Sequence, residues 1–176
     1  HFETEVVSLH PYRQFPERAF WNRAVSNRHV STLSELFDGI GPLANARIAT
    51  AGSCFAQHIG RALRGRGLGY LDLEPAPSFL TTDEAERLGF GIYSCRYGNI
   101  YTVRQLLQLF QEAEGTRQPQ DWVWTAKGRY FDALRPGMQS EGYETADEAR
   151  VLRQAHLAAV RKMFGLADVF VFTLGL

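Results

Sequence analysis

Strand-like and helix-like segments alternate along this chain, and that alternation constrains its fold more than any other feature. Short apolar runs predict strands at 48–51, 69–73 and 169–173, with helical periodicity between them. Such an order favours a mostly parallel sheet covered by helices. The last run is apolar enough to be a central strand that is buried on both faces.

Polar residues that cap helix starts locate the predicted helices. A Thr followed three residues later by Glu or Gln indicates a start, because both side chains satisfy free N–H groups of the first turn. Such pairs are Thr32 with Glu35 and Thr102 with Gln105, and the runs Thr82-Asp83-Glu84 and Thr145-Ala146-Asp147-Glu148 are predicted to open two further helices. The helix that begins at the last of these is expected to run through about Phe164 and to end at Gly165.

An aromatic-rich stretch from Trp122 to Asp132 predicts a β-hairpin that turns near Gly128. Aromatic side chains interleaved with cations could stack on nucleobases or sugars, but a hairpin on the domain surface gives the same pattern and is the favoured interpretation. A second aromatic group, formed by Phe15, Phe20 and Trp21, is interpreted as core packing rather than as a ligand cage.

The turn after the first predicted strand, Gly52-Ser53-Cys54-Phe55-Ala56, carries two candidate nucleophiles. A helix is expected to follow it and to stop at Gly65 or Gly67. The first N–H groups of a helix have no partner inside it and stabilise negative charge in front of them. Ser53 or Cys54 could therefore attack a carbonyl while neighbouring amides hold the oxyanion. The alternative is that Ser53 is a helix cap and Cys54 a small buried residue.

Three motifs in order resemble the GSCFA domain family. They are Gly52-Ser53-Cys54-Phe55-Ala56 with Gln57-His58-Ile59-Gly60, then Arg96 to Thr102, then Phe172-Thr173-Leu174-Gly175-Leu176. The stretch 11–21 also resembles the entry to that domain, so the resemblance spans about the whole chain. The family is similar to the SGNH, or GDSL-like, hydrolases. The resemblance implies a flavodoxin-like three-layer α/β fold with a mostly parallel sheet, incomplete here at the C-terminus.

The hydrolase pattern implies roles for the turn residues. Gly52 matches the glycine of the first hydrolase block, and Cys54 falls where the nucleophilic serine stands. In that register Ser53 helps to form the oxyanion hole. A shift of one residue would instead make Ser53 the nucleophile and Cys54 a packing residue. Cys54 is the favoured assignment, and both remain open.

The later hydrolase blocks are matched in part. Gly98 resembles the glycine whose N–H joins the oxyanion hole, and Asn99 beside it is a possible amide donor, although a tight turn explains the same residues. Gly175 is the one residue that matches the third block. The catalytic His of the pattern comes from a later block and is expected beyond Leu176. The chain, 1–176, is therefore interpreted as a single domain from the N-terminal part of a longer protein.

His58 is the alternative base within this sequence. It lies one helical turn after Cys54 on the same helix face, yet a triad usually takes its base from a separate element. The other histidines are scattered without metal-ligand spacing, so neither a metal nor another cofactor is expected.

The charge balance and the cysteine content limit the binding partners and the cellular setting that the sequence predicts. The chain has 19 Lys and Arg residues against 19 Asp and Glu residues, so no basic field for nucleic acid is expected. The basic cluster Arg61, Arg64 and Arg66 is interpreted as a solvated helix face, with contact to an anionic substrate or partner as the alternative. Cys54 and Cys95 cannot form a disulfide framework, which favours a reducing, cytoplasmic setting. No apolar run reaches the ~20 residues of a membrane span, so no membrane partner is expected.

The predicted function is an esterase or O-acyltransferase that works through an acyl-enzyme. A small-molecule or carbohydrate ester is the substrate class that the resemblance implies. The alternative is a non-catalytic domain of the same fold that binds a glycan or an acyl ligand, in which Cys54 is buried. A redox-sensing thiol would require Cys95 to lie close to Cys54. The sequence does not predict the oligomeric state.

Overall fold

The computed structural model describes residues 11–36, 41 and 43–175, with the side chains of 34–36 excepted. The chain divides into two compact units, whose boundary follows residue 41. The single-domain interpretation of 1–176 stays a prediction.

The described residues of the first unit form short helical turns. They are a 3-10 helix at Glu17–Ala19, a π-helix at Asn22–Ser26 and a 3-10 helix at Val30–Leu36. The predicted aromatic core is wrong, because Phe15 and Trp21 are 47% and 71% exposed. Single turns present too little surface to cover such large rings.

The predicted helix cap at Thr32 and Glu35 is also wrong. Thr32 lies inside the third short helix, and its hydroxyl donates a hydrogen bond of 2.8 Å to the carbonyl of His29. The side chain of Glu35 lies outside the described residues.

The second unit is a mixed α/β structure. In chain order its elements are β1 (Ile48–Gly52), α1 (Ala56–Gly65), α2 (Thr82–Arg87), α3 (Val103–Ala113), β2 (Val123–Ala126), β3 (Arg129–Asp132), a 3-10 turn (Pro136–Met138), α4 (Ala146–Leu166) and β4 (Val169–Thr173).

β1 and β4 form a small parallel sheet, in register from Ile48 opposite Val169 to Gly52 opposite Thr173. All five residues of β1 are buried, whereas those of β4 are half-buried. The prediction that β4 is buried on both faces is therefore wrong. Within residues 43–175 no further strand pairs with β4, so one of its edges has no strand to cover it.

The predicted strand at 69–73 is reduced to one parallel bridge, between Tyr70 and Ile48. Two residues further along β1, the N–H of Thr50 donates to Ser94 Oγ over 2.9 Å. Two different segments thus share this edge of β1, and neither runs beside it long enough to form a strand.

Small residues in β1 let larger side chains pack directly on the strand. The hydroxyl of Tyr97 donates to the carbonyl of Thr50, and Met163 of α4 is fully buried nearby in the same core. The buried hydrophobic core consists of Ala49, Ala51, Ala56, Tyr93, Cys95, Tyr97, Ile100, Val160 and Met163. It lies between the parallel sheet, α4 and the segment 93–100.

Three of the predicted helix starts are confirmed. The helix α2 begins at Thr82 as predicted, although its capping residue is the preceding Thr81, which forms a capping box with Glu84. Thr102 forms the expected capping box with Gln105, and the hydroxyl of Thr145 accepts a hydrogen bond at the start of α4. The helix α1 ends at Gly65, as expected.

The predicted end of α4 is wrong, because Gly165 lies inside the helix, which continues to Leu166. Glycine weakens a helix without forbidding it, and Ala167 turns to extended backbone instead. In the described part of the chain, no helix has both the length and the apolar character that crossing a membrane requires.

The predicted hairpin is confirmed as the antiparallel pair of β2 and β3. Its two turn residues, Lys127 and Gly128, both have positive φ, at 51° and 72°. Turns of this kind match the right-handed twist of the flanking strands. Trp124 on β2 is exposed, in agreement with a surface hairpin.

Candidate functional site

Gly52 fixes the geometry of the turn that leaves β1. Its φ is 138°, and a Cβ placed on it would overlap the carbonyl oxygen of Thr173 and lie 2.7 Å from the backbone nitrogen of that residue. Only glycine allows β1 and β4 to approach so closely at this point. The turn is thereby set at the carboxyl ends of both strands.

Ser53 is tied to the end of β4. Its N–H donates to Thr173 Oγ1 over 3.1 Å and lies 3.2 Å from the Thr173 carbonyl oxygen, while the two hydroxyl oxygens are 3.2 Å apart. The N-cap of α1 is Phe55, which has no side-chain cap. The interpretation of Ser53 as the helix cap is therefore wrong, since its hydroxyl is held by Thr173.

Cys54 is exposed, so its interpretation as a small buried residue is also wrong. The N–H groups of Cys54 and Phe55 have no hydrogen-bond partner among the described residues, and the following N–H, of Ala56, donates to the Ser53 carbonyl over 2.9 Å. The thiol therefore stands beside two unpartnered amides at the start of α1. Such amides can hold a developing oxyanion.

Tyr93 contacts this turn through its hydroxyl group. The hydroxyl lies 3.2 Å from the Ser53 carbonyl oxygen and also within hydrogen-bonding distance of Asn99 Oδ1. Burial, and then the neighbouring Cys54, raise the pKa of Tyr93 to about 12. The hydroxyl therefore stays protonated and remains a donor at neutral pH. Sequence reasoning missed Tyr93, because a tyrosine in an irregular segment has no spacing signal.

Asn99 and Gly175 both contact Tyr101, at the same end of the sheet. Asn99 Nδ2 donates to the Tyr101 hydroxyl over 2.9 Å, and the N–H of Gly175 donates to the Tyr101 carbonyl over 3.0 Å. The next N–H after Asn99, that of Ile100, donates to the Gly52 carbonyl over 2.8 Å. The structure thus brings Gly52, Ser53, Cys54, Asn99 and Gly175 to one edge.

Gly98 and His58 are not joined to this group by any hydrogen bond among the described residues. Gly98 has a φ of 72°, typical of a tight turn, and a Cβ placed on it would meet the side chain of Met138 at 3.5 Å. His58 is exposed, and its ring lies 6.1 Å from that of Phe55. The roles of Gly98 in the oxyanion hole and of His58 as base stay predictions.

The two cysteines have opposite surroundings. Cys54 is exposed, whereas Cys95 is buried in the core, and burial raises the pKa of its thiol well above the ordinary range. Cys95 is thus a poor nucleophile near neutral pH. Both thiols are free.

A buried ion-pair network lies on the other side of the segment 93–100, and sequence reasoning missed it. Asp132 at the end of β3 accepts hydrogen bonds of 2.7 Å from both Arg135 and Arg153, and Arg153 also pairs with Glu112 of α3 at 2.5 Å. All four side chains are nearly inaccessible. The network joins β3 to α3 and α4.

Glu74 and His156 extend the network, with His156 Nδ1 only 2.6 Å from Glu74 Oε2. Burial lowers the pKa of His156, although the hydrogen bond to Glu74 opposes that effect. Burial alone would raise the pKa of Glu74, but the bond from His156 and the N–H of Arg96 outweigh it, so that pKa is lowered. The pair is therefore a neutral imidazole that donates to an ionised carboxylate.

A cavity of about 190 Å³ borders this network. Asn99 and Ile100 line it on one side, and His156 and Arg153 on the other. Arg153 and His156 are three residues apart on α4, which is the only sequence signal that could have grouped them. Across the described residues, no set of three or more His, Cys, Asp or Glu side chains could hold a metal ion.

Together these features define an α/β protein with an exposed cysteine on the turn between a buried parallel strand and a helix. Comparison with family models places residues 47–176 in the GSCFA family, and the chain belongs to that family. No curated protein matches the chain. No solved structure matches it either.

Proposed function

We propose that this protein is an esterase or O-acyltransferase that forms an acyl-enzyme at Cys54, with carbohydrate esters as the favoured substrates. The observation that carries the proposal is the exposed Cys54 thiol beside the unpartnered N–H groups of Cys54 and Phe55. A nucleophile and two oxyanion donors on one turn are what acyl transfer requires. The proposed fold is the three-layer arrangement of the SGNH hydrolases, of which the β1–β4 pair would be part.

In the proposed reaction the Cys54 thiolate attacks the ester carbonyl carbon, after the thiol proton has passed to water. A C–S bond forms, and the N–H groups of Cys54 and Phe55 hold the negative carbonyl oxygen. Collapse of this intermediate breaks the C–O bond, and the leaving alkoxide takes a proton and departs as the alcohol. Water or an acceptor hydroxyl group then attacks the thioester carbonyl carbon and gives its proton to solvent. A new C–O bond forms, the C–S bond breaks, and the acid or the new ester leaves while the thiolate is restored.

Ser53 has a supporting role in this proposal. Its hydroxyl and N–H are both held by Thr173, so its backbone positions Cys54 while its side chain has less freedom to attack. This contrast supports Cys54 over Ser53 as the nucleophile. Two free cysteines also support a reducing, cytoplasmic setting.

Intact-mass measurement after reaction with p-nitrophenyl acetate tests the proposal. The wild type is expected to gain one acetyl group that neutral hydroxylamine removes, as it removes thioesters. Cys54→Ala should lose this adduct, and Ser53→Ala should retain it. Cys95→Ala is the matched control, because it removes the other thiol and leaves Cys54 in place.

The other outcomes discriminate among the alternatives. An adduct that persists in Cys54→Ala but is lost in Ser53→Ala would assign the nucleophile to Ser53. Absence of any acyl adduct in the wild type, whether sensitive or resistant to hydroxylamine, across acetyl, butyryl and sugar acetate donors, would overturn the enzyme proposal in favour of a glycan- or acyl-binding domain.

A further inference from the structure

We propose that the cavity between α3 and α4 is a binding site for a small, uncharged, hydroxyl-bearing molecule of the monosaccharide or polyol class, with His156 Nε2 accepting a hydrogen bond from a ligand hydroxyl. This site goes beyond the proposed acyl transfer, because its binding chemistry does not use Cys54.

The size of the cavity fits one small molecule. Its volume is about 190 Å³, which at about 30 Å³ per water is room for roughly six waters. Residues of α3, α4, the segment 97–100 and the loops near 117–119 and 134–135 enclose it. A single sugar ring has a suitable size for this space.

His156 aims an unsatisfied nitrogen into this space. The side chain is only 1% exposed, and its Nδ1 is bonded to Glu74. Nε2 has no hydrogen-bond partner among the described residues, yet none of their fully buried side-chain nitrogens or oxygens lacks one. Nε2 must therefore reach open space, and the open space that His156 lines is the cavity.

Whether His156 Nε2 donates or accepts a hydrogen bond follows from the contact between Nδ1 and Glu74. The ionised Glu74 carboxylate can only accept, so Nδ1 carries the proton of the neutral imidazole. Nε2 then has a lone pair and no proton, and it calls for a donor. A ligand hydroxyl supplies such a donor, whereas a carboxylate or phosphate oxygen does not.

The buried arginines in the cavity wall do not need an anionic ligand to balance their charge. Arg153 is paired with both Glu112 and Asp132, and Arg135 is paired with Asp132. These guanidinium charges are already matched by carboxylates. Arg117, the third arginine of the lining, is exposed to solvent, so the buried part of the wall offers a ligand no unmatched charge. An uncharged ligand fits this interior.

The remaining lining suits a ring with polar edges and apolar faces. The side chain of Gln108 has no hydrogen bond among the described residues, and Gln105 uses its carbonyl oxygen at the cap of α3, which leaves its NH₂ group available. Apolar side chains complete the wall: Tyr97, Ile100, Leu109, Pro119 and Leu134. Sugars offer this combination of hydroxyl groups and C–H faces.

The test follows the His156 ring nitrogens by NMR in protein labelled with ¹⁵N-histidine. The probes are glucose, galactose, mannose, N-acetylglucosamine, myo-inositol and glycerol, each raised to tens of millimolar, with glucuronate as an anionic comparison. At least one uncharged probe is expected to shift the Nε2 resonance saturably. If none shifts it, or if glucuronate alone does, the proposal is overturned.

Variants separate cavity binding from other effects. Gln108→Leu should weaken binding about tenfold, the factor that corresponds to 1.4 kcal/mol. Gln111→Leu is its matched control on the same helix, because Gln111 does not line the cavity, and it should bind as the wild type does. Equal binding by Gln108→Leu and the wild type would overturn the assignment.

Cys54→Ala distinguishes this site from the proposed enzyme. The variant should bind the probe with unchanged affinity even though it cannot form an acyl-enzyme. Loss of probe binding in Cys54→Ala would contradict an independent cavity site. Absence of acylation in the wild type would leave the probe titration unaffected.

Discussion

The N–H of Ser53 donates a hydrogen bond of 3.1 Å to the hydroxyl of Thr173, and the two hydroxyl oxygens lie 3.2 Å apart. Through this contact the last residue of β4 holds the residue that precedes Cys54. The position of the thiol is thereby coupled to the pairing of the two parallel strands.

Thr173→Val should slow acylation of Cys54 by about tenfold while lowering the free energy of unfolding by about 1 kcal/mol. The change keeps the shape of the side chain and removes its hydroxyl, but the Thr173 backbone carbonyl still lies 3.2 Å from the Ser53 nitrogen. Acylation kinetics and urea unfolding measure the two effects. Thr125→Val, on the exposed strand β2, serves as the control, and an acylation rate equal to that of the control would refute the coupling.

Tyr93→Phe should also slow acylation, by about fivefold, because one hydrogen bond of ~1 kcal/mol to the Ser53 carbonyl and Asn99 is lost. The ring and its packing in the core remain. Tyr130→Phe on the hairpin is the comparison variant. The same acylation kinetics provide the measurement, and a rate equal to that of the wild type would show that the Tyr93 hydroxyl does not position the turn.

Gly52→Ala should destabilise the second unit by about 3 kcal/mol or more, since it adds both a backbone strain and a clash. The new Cβ would overlap the Thr173 carbonyl oxygen at a φ of 138°. Gly165→Ala is the opposite case, because that glycine lies inside α4 and nothing stands within 4 Å of the place its new methyl group would take. It should stabilise by about 0.5–1 kcal/mol. Thermal or urea unfolding of both variants measures this contrast.

Asp132→Asn should destabilise the protein by about 3–5 kcal/mol, because two buried guanidinium groups lose their shared carboxylate. Asp168→Asn breaks the exposed pair with Arg47 and should have a far smaller effect, because water screens that interaction. Urea unfolding of the two variants compares them directly. Equal losses would mean that burial does not control the strength of these pairs.

Acid should destabilise the protein in two stages. Burial lowers the pKa of His156 below its usual 6.5, so the unfolded chain binds a proton first and stability falls once the pH drops below that value. The lowered pKa values of Asp132 and Glu74 add a second loss, as the pH falls through their ordinary values of 3.8 and 4.5. Stability is therefore fully present at neutral pH.

Urea unfolding across this range measures the pH dependence, with His156→Gln as the diagnostic variant. Removal of the imidazole should flatten the loss that begins below about pH 6.5, and it should also reduce the part of the low-pH loss that comes from Glu74, because His156 helps to lower the pKa of that carboxyl. The low-pH loss from Asp132 should remain. An unchanged slope in the variant would show that His156 is not the group responsible.

Local signals in the sequence predicted local structure well. The capping pairs at Thr102 and Thr145, the glycine turn after β1 and the hairpin at Lys127 and Gly128 each depend on residues within a few positions of one another. The turn residues Ser53 and Cys54 could be found in the same way. The sequence could not predict that Ser53 is held by Thr173 while Cys54 is exposed, because the contact with Thr173 depends on tertiary pairing.

Features formed by distant segments were missed or misjudged. The segment 69–73 has a strand-like pattern, but Ser94 takes its place beside Thr50. Glu74 and His156 come from separate parts of the chain, and nothing in their spacing predicts that they pair. At Gly165 a local signal was misleading, because packing of α4 outweighs the tendency of a single glycine to end a helix.

The pairing of Gly52 with Thr173 has a consequence for how the protein folds. Ser53 and Thr173 are 120 residues apart in the chain, so the contact that shapes the turn before Cys54 closes a long loop. Contacts of high sequence separation form slowly, because the entropy of loop closure is lost before the contact is gained. During synthesis on the ribosome, β1, which precedes Cys54, emerges long before its partner strand β4, and the turn acquires its final geometry only when that partner arrives.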